Sequence, residues 1–147
     1  MTLILDQRLL EGIQAHGQAS YPNEGAGLLL GHSSPDGRRV LELKPLPNHF
    51  EPDQQNRRYR LDPLDIMRAE DDADARGLEI IGIFHSHPDH PAQPSQYDLE
   101  WSLPFFSYII TSIEHGTATE SRSWRLADSP RRFEEETIQI DTLHVEK

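Results

Sequence analysis

Leu78-Glu79-Ile80-Ile81-Gly82-Ile83-Phe84-His85-Ser86-His87-Pro88 is the stretch on which both fold and chemistry turn. Its apolar part is too short for a helix and reads as a core strand covered on both faces, ending directly on His85. In an extended chain alternate side chains point the same way, so His85 and His87 project together from that strand end. Upstream, Asp62 followed by Pro63 starts a helix with Leu64, Met67 and Ala73 as its apolar face and Gly77 as its stop. Downstream, Pro88, Pro91 and Pro94 keep the chain irregular until Ser95-Gln96-Tyr97-Asp98 opens a short helix that Pro104 closes.

Further out, residues 25–31 carry three consecutive leucines between glycines and read as a strand buried on both faces, with Glu24 at its entry. The turn-forming Ser33-Ser34-Pro35-Asp36-Gly37 joins it to a second strand holding Val40, Leu41, Leu43 and Leu46, which Pro45 and Pro47 end, so the pair is expected to form a hairpin. Residues 48–58 have no periodicity and read as a loop. Asp6 caps a first helix of about ten residues with Leu9, Leu10, Ile13 and His16 on one face and Gly17 as its stop. Residues 105–113, 121–126 and 137–140 read as strands. Helices interspersed among strands of mixed length predict an α/β fold with a mixed central sheet flanked by helices, in one domain over residues 1–147.

The 147 residues carry 14 basic against 25 acidic side chains, a net charge of −11. Such a field repels phosphate backbones and anionic headgroups, so neither nucleic acid nor a membrane is expected as partner. Arg57, Arg58 and Arg60 form the one basic spot, read first as a solvated loop or strand edge and second as an anion site. There is no cysteine, so a metal would have to be held by imidazole and carboxylate. The N-terminus has no basic leader and no apolar run approaches a membrane span, which predicts a cytoplasmic protein.

A His-x-His pair alone is more often two hydrogen-bonded or surface histidines than a metal site. Here a carboxylate follows at the start of a helix, and two neutral imidazoles plus one carboxylate with an open fourth position make the ligand set of a catalytic zinc. The proline-rich turn can fold back and present Asp98 toward the strand end, making His85, His87 and Asp98 the candidate Zn2+ ligands. Ser95 with Asp98 also satisfies a capping box without any metal. The other histidines are isolated in sequence and read as surface or packing residues, with His90 set apart by its position in the loop between the candidate ligands.

Taken together, His85-Ser86-His87-Pro88, Pro94-Ser95-Gln96-Tyr97-Asp98 and Glu24 before a Gly-Ala-Gly-Leu-Leu-Leu-Gly strand resemble the JAMM (MPN+) metalloprotease family. The likeness extends to Trp124-Arg125-Leu126 and Phe133-Glu134-Glu135, which are similar to the C-terminal part of bacterial stand-alone members. It implies the cytidine-deaminase-like form of the α/β fold and zinc on His85, His87 and Asp98. It further implies Glu24 as the acid/base and Ser95 as the donor to the reaction oxyanion. From composition alone Glu24 would be a surface residue, and only the resemblance gives it a role. Deaminases themselves are excluded because their zinc site requires cysteines. One departure is Ala26, where bacterial members often carry a cysteine that is not a metal ligand.

The implied activity is hydrolysis of the amide after the C-terminal Gly-Gly of a ubiquitin-like or sulfur-carrier protein, including release of cysteine from a carrier–cysteine adduct, which would tie the enzyme to cysteine biosynthesis. A homodimer is among the assemblies considered. Two alternatives stay open: an MPN domain that only scaffolds partners, and a JAMM peptidase for another peptide.

Overall fold

A computed structural model describes residues 2–128 and 131–141. Its strands are β1 (Thr2–Leu5), β2 (Ala26–Ser34), β3 (Gly37–Leu46), β4 (Glu79–Pro88), β5 (Ser107–Glu114), β6 (Thr117–Asp128) and β7 (Arg131–Ile140). Its helices are α1 (Gln7–Ser20), α2 (Pro63–Ala75) and α3 (Gln96–Trp101), with a single 3-10 turn at Pro52–Gln54.

The strands hydrogen-bond in the order β1-β3-β2-β4-β5-β6-β7, and β1 pairs with both β3 and β7, so the mixed sheet closes on itself as a barrel. β2 and β3 form the expected hairpin, its turn at Pro35 and Asp36. Gly37 follows at φ 142°, a conformation suited to glycine. β4 and β5 are parallel. Parallel neighbours need a crossover connection, and here the crossover carries α3 back over the end of β4.

The sheet separates two apolar clusters. Leu3, Leu5, Ile13, Leu29, Val40, Ile81, Phe84 and Ile109 pack on the α1 side. Ala26, Leu28, Leu30, Ala69, Ala73, Ile83 and Tyr108 pack on the α2 side. Ile81 and Ile83 belong to opposite clusters because the β2/β4 register slips at Leu29/Leu30, where Leu29 faces Gly82 and Leu30 faces Ile80. The extra residue reverses the alternation, as a bulge does, and puts His85 on the α2 side with Ile83.

Three sequence expectations are corrected. Gly17 does not stop α1, which runs to Ser20; a Cβ at Gly17 would lie 2.9 Å from Ile113 Cδ1 and 3.1 Å from Ser86 Cβ, so glycine here permits close packing of helix on sheet. Pro45 lies inside β3 rather than ending it, at a point where β1, which pairs only with Arg38 and Arg39, no longer flanks the strand. On α2 the buried residues are Ala69 and Ala73, while Leu64 and Met67 are exposed. Among the described residues no helix is long and apolar enough to cross a membrane.

Candidate active site

β4 buries every residue from Ile81 to Pro88 and carries His85 and His87 through its register with β5, opposite Ile110 and Ser112. Ala26 at the start of β2 lies opposite His85. The pairing extends backward by one residue: Ser86 N donates to the Gly25 carbonyl at 3.0 Å, and Gly25 N donates to Ser86 Oγ at 2.8 Å. Glu24 is thereby fixed beside the two histidines although it lies far from them in sequence. Gly25 has no room for a side chain, since a Cβ there would meet Ser20 Oγ at 2.3 Å and His16 at 2.8 Å.

The loop read over residues 48–58, with Tyr59 and Arg60 after it, forms the clamp on Glu24. Glu24 N donates to the Gln55 carbonyl at 2.6 Å. The Asn48 amide donates to the Glu24 carbonyl at 3.1 Å and to the Arg58 carbonyl at 3.0 Å, while its oxygen accepts from Phe50 N and Arg60 N. Tyr59 stacks on the His85 ring, with centroids 4.5 Å apart and planes 28° off parallel. Burial, followed by the Asp98 charge, holds the Tyr59 phenol well above its ordinary pKa, so it stays neutral.

Asp98 reaches the site from α3. Ser95 caps that helix in a complete capping box: its hydroxyl accepts from Asp98 N at 3.1 Å and its own N–H donates to Asp98 Oδ2 at 2.9 Å. The cap orients the carboxylate, whose oxygens lie 3.5 Å from His85 Nε2 and 3.2 Å from His87 Nε2. Burial disfavours the Asp98 charge, but His85, His87 and the Ser95 N–H together hold its carboxyl well below the usual carboxylate range. Burial likewise pulls the His87 imidazole down, and the Asp98 hydrogen bond and the Glu24 charge outweigh it, leaving His87 above its ordinary value of 6.5.

Glu24, His85, His87 and Asp98 are thus all buried in one cluster, and one ligand atom each from Glu24, His85 and His87 lie within 4.8 Å of one another. Two observations bear on whether a metal fits. His87 Nδ1 is 2.9 Å from the Pro91 carbonyl; a carbonyl only accepts, so one proton sits on Nδ1, and Nε2, which donates to Asp98 while the ring is charged, becomes a ligand atom once it gives up its proton. His85 Nδ1 is 3.4 Å from Glu24 Oε1 but out of hydrogen-bond alignment, and it is one of two buried side-chain atoms without a hydrogen-bond partner among the described residues. Imidazole nitrogens and carboxylate oxygens packed this closely form a donor set suited to a divalent transition ion.

The cluster opens into a cleft of about 430 Å3 lined by Glu24, Arg57, Arg58, His87, Ser95 and Tyr97 among others. Ser95 is exposed on its rim. His90 lines the same cleft. A second, more apolar trough of about 630 Å3 runs past Asp98 between Tyr59, Ile66, Trp101 and Leu103. The sequence singled out Glu24, His85, His87, Ser95 and Asp98 and missed Asn48, Gln55 and Tyr59, which act through the aperiodic loop; no spacing pattern marks them. His49, read as isolated, is exposed and lies with the half-buried Asp62 and Asp65, its Nε2 3.5 Å from Asp65 Oδ2.

The mixed sheet thus bears a buried histidine and carboxylate cluster under an open cleft, a donor set of the kind metal-assisted hydrolysis uses. Residues 6–127 match the family described as prokaryotic homologs of the JAB domain. A probable TtuB-protein conjugate cleaving protease of Thermus thermophilus is 36% identical over 109 residues, spanning 71% of this chain and 68% of its own length. A desampylase of Pyrococcus furiosus is 33% identical over 127 residues, spanning 86% of this chain and 83% of its own. A solution structure from Desulfitobacterium hafniense superposes with a TM-score of 0.82 at 31% identity, covering 95% of this chain and 92% of that one. The chain belongs to the prokaryotic JAB-domain family. It is a hydrolase of the peptidase class.

Proposed function

We propose that this protein is a zinc-dependent isopeptidase, acting in the cytoplasm, that hydrolyses the amide after the C-terminal Gly-Gly of a ubiquitin-like or sulfur-carrier protein and releases cysteine from a carrier–cysteine adduct. The observation that carries this reading is the meeting of Glu24, His85, His87 and Asp98 in one buried cluster beneath the cleft. Relatives named for cleaving protein conjugates support the substrate class.

In this reading His85, His87 and Asp98 hold the zinc, which when bound supplies Lewis acidity for the carbonyl and for water. The chain's own residues do the rest. Glu24 takes the proton of the attacking water and passes it to the departing amine. The Ser95 hydroxyl, whose oxygen is occupied as the α3 cap, keeps its proton free to donate to the carbonyl oxygen as that oxygen gains charge, a contribution of about 3 kcal/mol for a well-placed donor. Tyr59 covers one face of His85 and shields that side of the cluster from water. A Gly-Gly tail suits a narrow cleft because it brings extended backbone without side chains.

Offering a carrier–Gly-Gly–cysteine amide to the zinc-loaded protein tests the reading. Release of cysteine is expected; an intact conjugate alongside cleavage of unrelated short peptides would reject the assignment.

A further inference from the structure

In the proposed mechanism the departing amine takes its proton from Glu24, so the group it carries starts in the cleft that Glu24 lines. Arg57 and Arg58 line the same cleft. The chain is acidic overall, with 14 basic against 25 acidic residues, yet neither guanidinium is neutralised. Among the described residues neither has a carboxylate partner: Arg57 donates through Nε and Nη2 to the neutral Gln54 Oε1 at 3.0 and 2.7 Å. The Arg58 guanidinium makes no hydrogen bond there and rests against aromatic faces, its Cζ 5.2 Å from the Tyr97 centroid and 6.0 Å from that of Phe50. Such stacking holds the fork in place and leaves its N–H groups available.

We infer that Arg57 and Arg58 form a carboxylate-binding subsite on the leaving-group side, so that the preferred leaving group is a single amino acid with a free α-carboxylate. In an amide formed on an α-amino group, the carboxylate sits on the carbon bonded to the scissile nitrogen and meets the guanidiniums while Glu24 faces the nitrogen. In an isopeptide on a lysine, that nitrogen carries only a methylene chain, and the subsite has nothing to bind. The inference rests on the proposed isopeptidase reading and narrows it toward trimming of single residues.

The test uses three carrier–Gly-Gly conjugates, with cysteine, with cysteine carboxamide and with a lysine ε-amine. Zinc-loaded wild type is expected to favour the free acid over the carboxamide by about tenfold in kcat/KM, mostly through KM, with the preference shrinking as salt rises. Arg57→Ala/Arg58→Ala is expected to bring the acid-to-carboxamide ratio close to one. Binding to zinc-loaded Glu24→Gln, followed by calorimetry, supplies a readout independent of turnover: the acid should bind more tightly than the carboxamide, and the difference should vanish when both arginines are replaced. Equal handling of acid and carboxamide by wild type, or a ratio that survives the double substitution, would overturn the inference and leave the isopeptidase reading standing. Failure to hydrolyse any of the three would overturn that reading instead, while the binding comparison still decides the subsite.

Discussion

At the scale of single residues, Glu24 and His87 carry the proposed chemistry. Glu24→Gln keeps the shape of the side chain and removes its basicity, so zinc content and melting temperature should hold while kcat falls by about 10²- to 10⁴-fold. His87→Ala should lose metal as well, which plasma emission on dialysed protein reads directly. The metal-free protein should also carry a pH signature. His87 lies above its ordinary 6.5, so its contribution to stability is fully present below 6.5 and is lost as pH rises through the raised value. Asp98 lies below its ordinary 3.8, so its contribution is present above 3.8 and is lost as pH falls through the depressed value. Thermal melts of metal-free protein should therefore show this pair stabilising most between those two values. Zinc needs the unprotonated Nε2 of His87, so the gain in melting temperature on adding zinc should grow as pH climbs out of that window. The histidines and Asp98 were legible because period-two geometry and a capping signal each act over a few residues. Glu24 was legible only by resemblance, because nothing local links it to a strand some sixty residues later in the chain; the bond from Gly25 N to Ser86 Oγ, across 61 positions, is what joins them.

At the scale of elements, the segment that sequence leaves blank holds Glu24, the proposed base. The Asn48 side chain makes four hydrogen bonds, tying Glu24 to Phe50, Arg58 and Arg60. Asn48→Ala strands those partners and should cost about 1–3 kcal/mol by urea denaturation. It should lower kcat more than it alters KM, since the loop holds Glu24 from behind; an unchanged kcat would mean that Glu24 is held by β2 alone. Helix α1 teaches a related lesson. Its periodic face and its Asp6 cap are readable, the latter confirmed by the 2.8 Å bond from Leu9 N, yet its end is not. Gly17 signals a stop by propensity and instead serves packing against Ile113 and Ser86. Gly17→Val should overpack that contact and destabilise by about 1–3 kcal/mol. The four-residue β1 escaped notice because so short an apolar run carries no period, although it is the strand that closes the barrel.

For the molecule as a whole, the mixed sheet was legible from the spacing of apolar runs, whereas its closure and the reversal of side-chain alternation near Leu29 and Leu30 were not. Both depend on pairing between distant strands, which no local pattern encodes. The outcome is a closed barrel with a cleft at the carboxyl end of β4, where crossover, loop and helix cap converge. A ligand that binds only the folded state adds to stability, so zinc at a hundred times its dissociation constant should contribute about 2.7 kcal/mol, and chelation should remove it. In the proposed enzyme one ion joins side chains from β4 and α3 into a single centre. Anomalous diffraction at the zinc edge on crystals of the zinc-loaded protein tests this directly. A single strong peak about 2.0–2.2 Å from a nitrogen of His85, a nitrogen of His87 and an Asp98 oxygen is expected; density only elsewhere, or none within bonding reach of these three, would contradict it.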